Sequence, residues 1–258
     1  MTCIYLAGKS ANAILGATIS QSSENSVLPW DNLNDQRLSY CGQFNAAASG
    51  DFIHALVSSI TPDFVSVHFD SNVADTGITS VQLRRGASGA TNVVTMTRDP
   101  AGSYYATFVG VADTNWRLLF NGTPAKAGTV GKWGLGAATT LLRSQERIWN
   151  IQYIQDQIRP DGQIPVNKSL FERKRLTLPI RNLTQAQKDQ VLVLLRACKW
   201  GAEPIIIVPD TADPSVVVYG RVQGTWDLER RKHEGTDALG TWMHELVIEE
   251  DRHPAIVT

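Results

Sequence analysis

The chain has 258 residues, 43% hydrophobic and 19% charged, with 24 Lys and Arg set against 25 Asp and Glu. That balance is ordinary for a folded protein and sets disorder aside as the default. A formal net charge of −1 offers no basic face for nucleic acid and no general attraction to an anionic membrane.

No apolar run approaches the roughly 18 residues of a membrane-spanning helix. The opening segment, interrupted by Lys9, Ser10 and Asn12, lacks the basic start of a secretory signal. The expectation is a chain made and used without signal-dependent export or membrane insertion. Cys3, Cys41 and Cys198 are odd in number and far apart. With no CxxC pair they indicate neither a disulfide framework nor a zinc site, and they read as small buried side chains.

Charge divides the chain. Residues 1–142 hold 8 Lys and Arg and 9 Asp and Glu, whereas residues 143–258 hold 16 of each. The second part is therefore more than twice as charged per residue, which predicts two regions, 1–142 and 143–258, meeting in or just after 127–142. In the first, FVSVHFD (64–70) alternates Val65, Val67 and Phe69 with Ser66 and His68, the period of a half-buried strand. Strand-like runs follow at 77–85, 92–97, 104–111 and 115–121, separated by Gly- and Asp-containing turns. Such spacing with no convincing long helix predicts a β-sandwich or barrel. Gly134-Leu135-Gly136 lacks the third glycine of a dinucleotide-binding loop and reads as a turn.

In the second region, 173–182 is strand-like, and Thr184-x-x-Gln187 opens a helix over about 185–200 with a capping box. Val191, Leu194, Leu195 and Cys198 form its apolar stripe, and Gly201 stands at its left-handed stop. Strands are predicted at 204–208, 216–230 and 241–250. The order β-α-β-β-β predicts one helix on an antiparallel sheet. The whole is expected to be mainly β: an N-terminal β-sandwich or barrel plus a C-terminal α+β unit.

Catalytic patterns are missing. The five histidines form no HExxH, no Ser sits in a nucleophile elbow, and no phosphate-binding loop is present. No cofactor is signalled, and no enzyme is predicted. Asp31 with Asp35, and Asp70 with Asp75, are the carboxylates available for a hidden dyad or a calcium loop. Asp is also what turns select for local hydrogen bonding.

Contact residues are easier to nominate. Trp30, Trp116 and Trp133 lie at ends of strand-like runs, where an aromatic rim suits a ligand or partner, with Asp31 and Asp35 beside the first of them. Trp200 and Trp242 lie beside apolar stripes and read as core. Arg173, Arg175, Arg230, Arg231 and Lys232 are candidates for contacts between subunits; the last three fall in a loop between the final two strands, where a solvated hairpin tip is the simpler reading.

Two resemblances refine this picture. The stretch Asn32-Leu33-Asn34-Asp35, followed by Val67-His68-Phe69-Asp70 and Ile78-Thr79-Ser80-Val81, resembles a discoidin-type, galactose-binding-like jelly roll over about 100 residues. Tyr40 and Phe44 stand where that family commonly has a Trp. The C-terminal part, with Val218-Tyr219-Gly220-Arg221-Val222 leading to a final long hairpin, is similar to bacteriophage tail-tip (baseplate) proteins of the distal-tail type.

That second resemblance implies a structural virion protein without catalysis. Copies would pack into a ring, a hexamer favoured, that joins tail tube to hub, with the sandwich pointing outward. Its implied partners are itself, the tail tube, hub and tape-measure proteins and, through the sandwich, a host surface glycan. Its place would be the virion tail tip, after synthesis in the bacterial host cytoplasm. The alternative is a carbohydrate-binding module or adhesin. Near-equal positive and negative charge in the second part suits self-association through complementary patches.

Overall fold

The protein is described by a computed structural model covering residues 2–22, 24, 26, 29–34, 42–44, 50–69, 78–98, 103–122, 129–142, 150–157, 169–211, 216–224, 229–231 and 241–250. Up to residue 142 the strands are β1 (Thr2–Ala7), β2 (Thr18–Gln21), β3 (Gly42–Gln43), β4 (Asp51–Ile60), β5 (Phe64–Phe69), β6 (Ile78–Arg85), β7 (Thr91–Thr95), β8 (Thr97–Arg98), β9 (Tyr104–Thr107), β10 (Asp113–Gly122), β11 (Thr129–Gly136) and β12 (Thr139–Leu142). Beyond it come β13 (Asn150–Gln157), β14 (Ser169–Leu183), helix α1 (Gln185–Ala197), β15 (Ile205–Val208), β16 (Val218–Gln223), β17 (Glu229–Arg231) and β18 (Thr241–Glu250). No helix among the described residues is long and apolar enough to cross a membrane.

Among the described residues all strand pairings are antiparallel, in three sheets. An outer sandwich sheet runs β2-β4-β10-β6-β7, and an inner one runs β3-β11-β5-β9-β8. Between them Trp30, Leu33, Ile53, Val67, Leu83, Trp116, Leu118 and Trp133 form the core of a jelly-roll β-sandwich. The third and largest sheet runs β12-β1-β15-β16-β18-β14-β13, with β17 added to β18.

One face of this large sheet carries α1, whose Val191, Leu194, Leu195 and Cys198 pack on Tyr5, Leu178, Ile205, Ile207 and Ile248. Its other face meets the inner sandwich sheet through Ile4, Leu6, Ile206, Val208, Val217 and Tyr219 against Phe64 and Tyr105. The molecule is thus a stack: outer sheet, inner sheet, large sheet, helix.

This stacking explains where the pattern of side chains differs from expectation. β5 is buried at all six positions rather than on one face, because Val65, Val67 and Phe69 enter the sandwich core while Phe64 enters the contact with the large sheet. β15 is likewise buried throughout, sending Ile205 and Ile207 to the helix and Ile206 and Val208 to the sandwich. A strand covered on both faces loses its polar alternation.

The 134–136 segment, expected as a turn, lies in β11. A side chain at Gly134 would collide with Ile206 and crowd Ser66 Oγ at 2.7 Å, so glycine there lets the two sheets close.

β1 and β12 pair with each other, Thr2 opposite Leu142, and β1 also pairs with β15. The strands at both ends of residues 1–142 therefore belong to the large sheet, although the charge pattern groups them with the sandwich. The run 216–230, expected as one strand, is divided into β16 and β17.

The helix forms as its sequence predicts. Thr184 Oγ1 accepts from the Gln187 N–H, and the Gln187 side chain returns the bond to the Thr184 N–H at 2.9 Å. Gly201 has φ of 91° and its N–H donates to the Cys198 carbonyl at 3.0 Å. Lys199 and Trp200 also adopt positive φ, which carries Trp200 out of the core to 47% exposure instead of packing it beneath the helix.

Glu203 secures the turn by an ion pair with Lys199 and by accepting the Lys9 N–H at 2.6 Å. The Lys199 ammonium, and next the Lys9 N–H, hold its carboxyl below the ordinary value of 4.5. Cys3 and Cys198 are buried thiols, and burial pushes Cys198 up, as suits an inert packing role. Cys41 lies outside the described residues.

Two outcomes test this account. Phe64→Ala, emptying a site 1% exposed in the contact between sheets, should cost about 3–5 kcal/mol in urea unfolding; a loss under about 1 kcal/mol would contradict a close-packed junction. Because the folded Glu203 pKa is lowered, its stabilisation is complete above the unfolded value and vanishes as pH falls through the folded one. Melting curves of the wild type and Glu203→Gln should therefore differ at neutral pH and converge below pH 4.5.

Candidate functional site

The three tryptophans nominated as a rim are instead the centre of the sandwich. Trp30, Trp116 and Trp133 are at most 1% exposed. Trp30 sits in a 3-10 turn, Trp30–Asn34, where its ring packs 4.6 Å from Phe44 and its backbone N–H donates to Glu24 Oε1 at 2.8 Å. Trp116 donates from Nε1 to the Asp113 carbonyl at 3.2 Å. The period of two along β10, with Trp116, Leu118 and Phe120 all buried, carries this signal; a tryptophan in phase with inward neighbours belongs to the core.

Asp31 is exposed within the Trp30–Asn34 turn, and Asp35, Asp70 and Asp75 lie outside the described residues. Among the described residues, no three His, Cys, Asp or Glu side chains gather as metal ligands would.

The basic candidates separate in the same way. Arg175 projects from β14 and pairs with Glu249 of β18 at 3.6 Å, so one of its bonds is internal to the sheet. Arg173 opposes Ile154 of β13. Arg230 and Arg231 are in β17, paired with Trp242 and Thr241, and thus in a ladder rather than at a loop tip. Lys232 and the side chains of Arg173, Arg230, Arg231 and Trp242 lie outside the described residues.

Three places carry chemistry that the sequence did not single out. The first is a polar seam between the inner sandwich sheet and the large sheet. His68 is 1% exposed, opposes the fully buried Lys132, and takes a 3.4 Å contact from Ser103 Oγ, with the Tyr219 ring 5.6 Å away. Lys132 Nζ donates 3.0 Å to the Asn32 carbonyl of the Trp30–Asn34 turn. These side chains are buried, and the seam braces the junction of the sheets.

The second is the free edge of β13. This strand ends the sheet order and, among the described residues, pairs only with β14, presenting exposed Asn150 and Gln152.

The third is the open face of the outer sandwich sheet. There Ser20 Oγ contacts His54 Nδ1 and Asn115 Oδ1 contacts His54 Nε2, both at 3.2 Å, and the Arg117 guanidinium lies 4.0 Å over the Phe52 ring. With the inner sheet covered by the large one, this is the sheet face that the sandwich keeps for solvent.

The fold and these surfaces define a mainly β protein in which a jelly-roll β-sandwich is stacked on an α+β unit. No protein-family model and no curated protein matches the chain. Solved structures do resemble it. A family 32 carbohydrate-binding module of Clostridium perfringens NanJ, in complex with galactose, is 11% identical and covers 50% of this chain and 98% of its own, with a TM-score of 0.43. A CBM32 module from Clostridium perfringens bound to GalNAc-β-1,3-galactose is 12% identical, covering 49% and 100%, at 0.44. Chitosan-binding module 1 of a Paenibacillus sp. IK-5 chitosanase/glucanase is 16% identical, covering 49% and 98%, at 0.42. Each match spans about half of the chain.

Placement of the tryptophans is testable. Trp116→Ala should cost about 3–5 kcal/mol in chemical denaturation, as a core truncation does. A rim position would lose under about 1 kcal/mol.

Proposed function

We propose that this chain is a non-catalytic assembly protein of the distal-tail type. In this reading the large sheet joins copies of itself into a ring at a phage tail tip, in contact with tube, hub and tape-measure proteins, and the sandwich is carried as a module between β1 and β12.

One observation supports the reading: the large sheet is covered by α1 on one face and by the inner sandwich sheet on the other, yet ends in β13, whose outer edge carries no partner strand among the described residues. An edge of eight residues that offers free N–H and C=O groups is a template for another strand. Short edges, prolines and lysines are the usual protection, and β13, Asn-Ile-Gln-Tyr-Ile-Gln-Asp-Gln, has neither proline nor lysine. A second copy is the economical occupant, because self-pairing completes the ladder for both chains. Near-equal charge in residues 143–258 suits it.

A second reading rests on the sandwich. Its outer sheet face is open and lined by hydroxyl, amide, imidazole and guanidinium groups, the donors and acceptors that a glycan requires. The two readings are compatible, since a tail module that grips a host surface glycan would use that face.

Mass photometry of the full chain should show closed oligomers, in water or on addition of a tail partner. The double substitution Asn150→Lys, Gln152→Lys should return it to the monomer with its melting temperature unchanged. Oligomers that survive those edge lysines would remove β13 from the interface.

A further inference from the structure

The open face of the outer sandwich sheet carries a charge arrangement that packing does not account for. The register of β2, β4, β10, β6 and β7 places Ser20, His54, Arg117, Arg84 and Asn92 in one row across the sheet. Arg117 and Arg84 are therefore direct cross-strand neighbours, with His54 next to Arg117 on its other side. Like charges at directly opposed positions destabilise a sheet, and a carboxylate between them would normally offset the repulsion. None is there.

Arg84 donates from Nε to Gln82 Oε1 and from Nη1 to the Gly89 carbonyl, both at 3.3 Å. Arg117 donates from Nη2 to the Ala87 carbonyl at 3.3 Å and lies over Phe52. Every one of these partners is neutral. The carboxylate of this face nearest along β10 is Asp113, four residues before Arg117, and its Oδ1 already accepts the Thr114 and Asn115 N–H groups at 2.7 and 2.9 Å.

We propose that this face binds an acidic saccharide, with its carboxylate or sulfate seated between Arg84 and Arg117. The proposal deepens the glycan reading of the sandwich and rests on it. A guanidinium has five donors in a planar fork; Arg84 commits two and Arg117 one to the bonds above, which leaves donors for a bidentate oxyanion. That oxyanion supplies the countercharge the row lacks.

The neighbours on the same face are uncharged hydrogen-bonding groups. Ser20 and Asn115 are held by His54, Gln82 is held by Arg84, and Asn92 is exposed. They suit the hydroxyls of the sugar ring. A peptide fits less well. Its usual recognition by a sheet runs through backbone pairing at an edge, and here the backbone groups of β4, β10 and β6 are already paired on both sides.

The test is calorimetric titration of the full chain with a short oligogalacturonate, a neutral galacto-oligosaccharide and a poly-glutamate peptide. Oligogalacturonate should bind about tenfold more tightly than the neutral sugar, and Arg84→Glu should weaken it by about tenfold or more. Arg84→Gln, which keeps a hydrogen-bonding side chain, should weaken it less and decides the matter if Arg84→Glu lowers the melting temperature. Oligogalacturonate binding that is absent, or unchanged in Arg84→Gln, overturns the proposal. Poly-glutamate binding as tight as oligogalacturonate overturns it as well. Neutral-sugar binding that persists in those cases leaves the glycan reading standing elsewhere on the sandwich; loss of all saccharide binding removes both.

Discussion

The contact between the inner sandwich sheet and the large sheet is the interaction on which the rest of the molecule depends. Ile206, Val208, Val217 and Tyr219 on one side and Phe64 and Tyr105 on the other are all buried there. Burying an aliphatic or aromatic side chain is worth about 1.5–3 kcal/mol, so this layer rivals a small domain core. Its consequences run both ways. β5 and β15 each become interior strands of the stack, and every surface left for binding is pushed to the outside: the outer sheet face, the β13 edge and the turn that exposes Trp200.

The same contact explains which parts of the fold were legible in the sequence. Helix α1 could be read almost to its last residue, because the capping box, the Val191–Cys198 stripe and the Gly201 stop are local signals. So could β6, β10 and β18. The sequence reading missed β4 and placed a turn where β11 runs, although both are long strands. In β11 the polar Lys132 and the small Gly134 face the second sheet, and nothing local announces that a layer from elsewhere in the chain will cover them. β1 was passed over for a related reason. Thr-Cys-Ile-Tyr-Leu-Ala is apolar on both faces and finds its partners in Ile205–Val208 and Thr139–Leu142, both far along the chain.

The candidate contact residues were legible in kind but not in place. Trp30, Trp116 and Trp133 suit a ligand rim as tryptophans at strand ends, yet in-phase strand neighbours draw Trp116 and Trp133 inward, and Trp30 packs into the same core from a 3-10 turn. Trp200, read as core, is the one among these four that solvent reaches. The difference lies in backbone conformation: two successive residues with positive φ are costly for non-glycine residues, and a sequence gives no sign of them. Arg84 and Arg117 lie far apart in sequence, and only strand register makes them neighbours.

Register also decides how the two proposed roles can coexist. A ring built through β13 uses the edge of the large sheet, at the far end of the order from β12 and β1. The arginine row lies on the outer sandwich sheet, with the inner sheet and the large sheet stacked beneath it. Edge pairing extends a sheet in its own plane, whereas a ligand on the outer sheet approaches across the plane of that face. Assembly through the first surface therefore does not require the second to be covered. Because the layers between them are close-packed and buried, each subunit would hold its arginine row in a fixed orientation to the ring. Identical copies would then offer a repeating ligand many equivalent sites, so weak single contacts would combine into firm attachment.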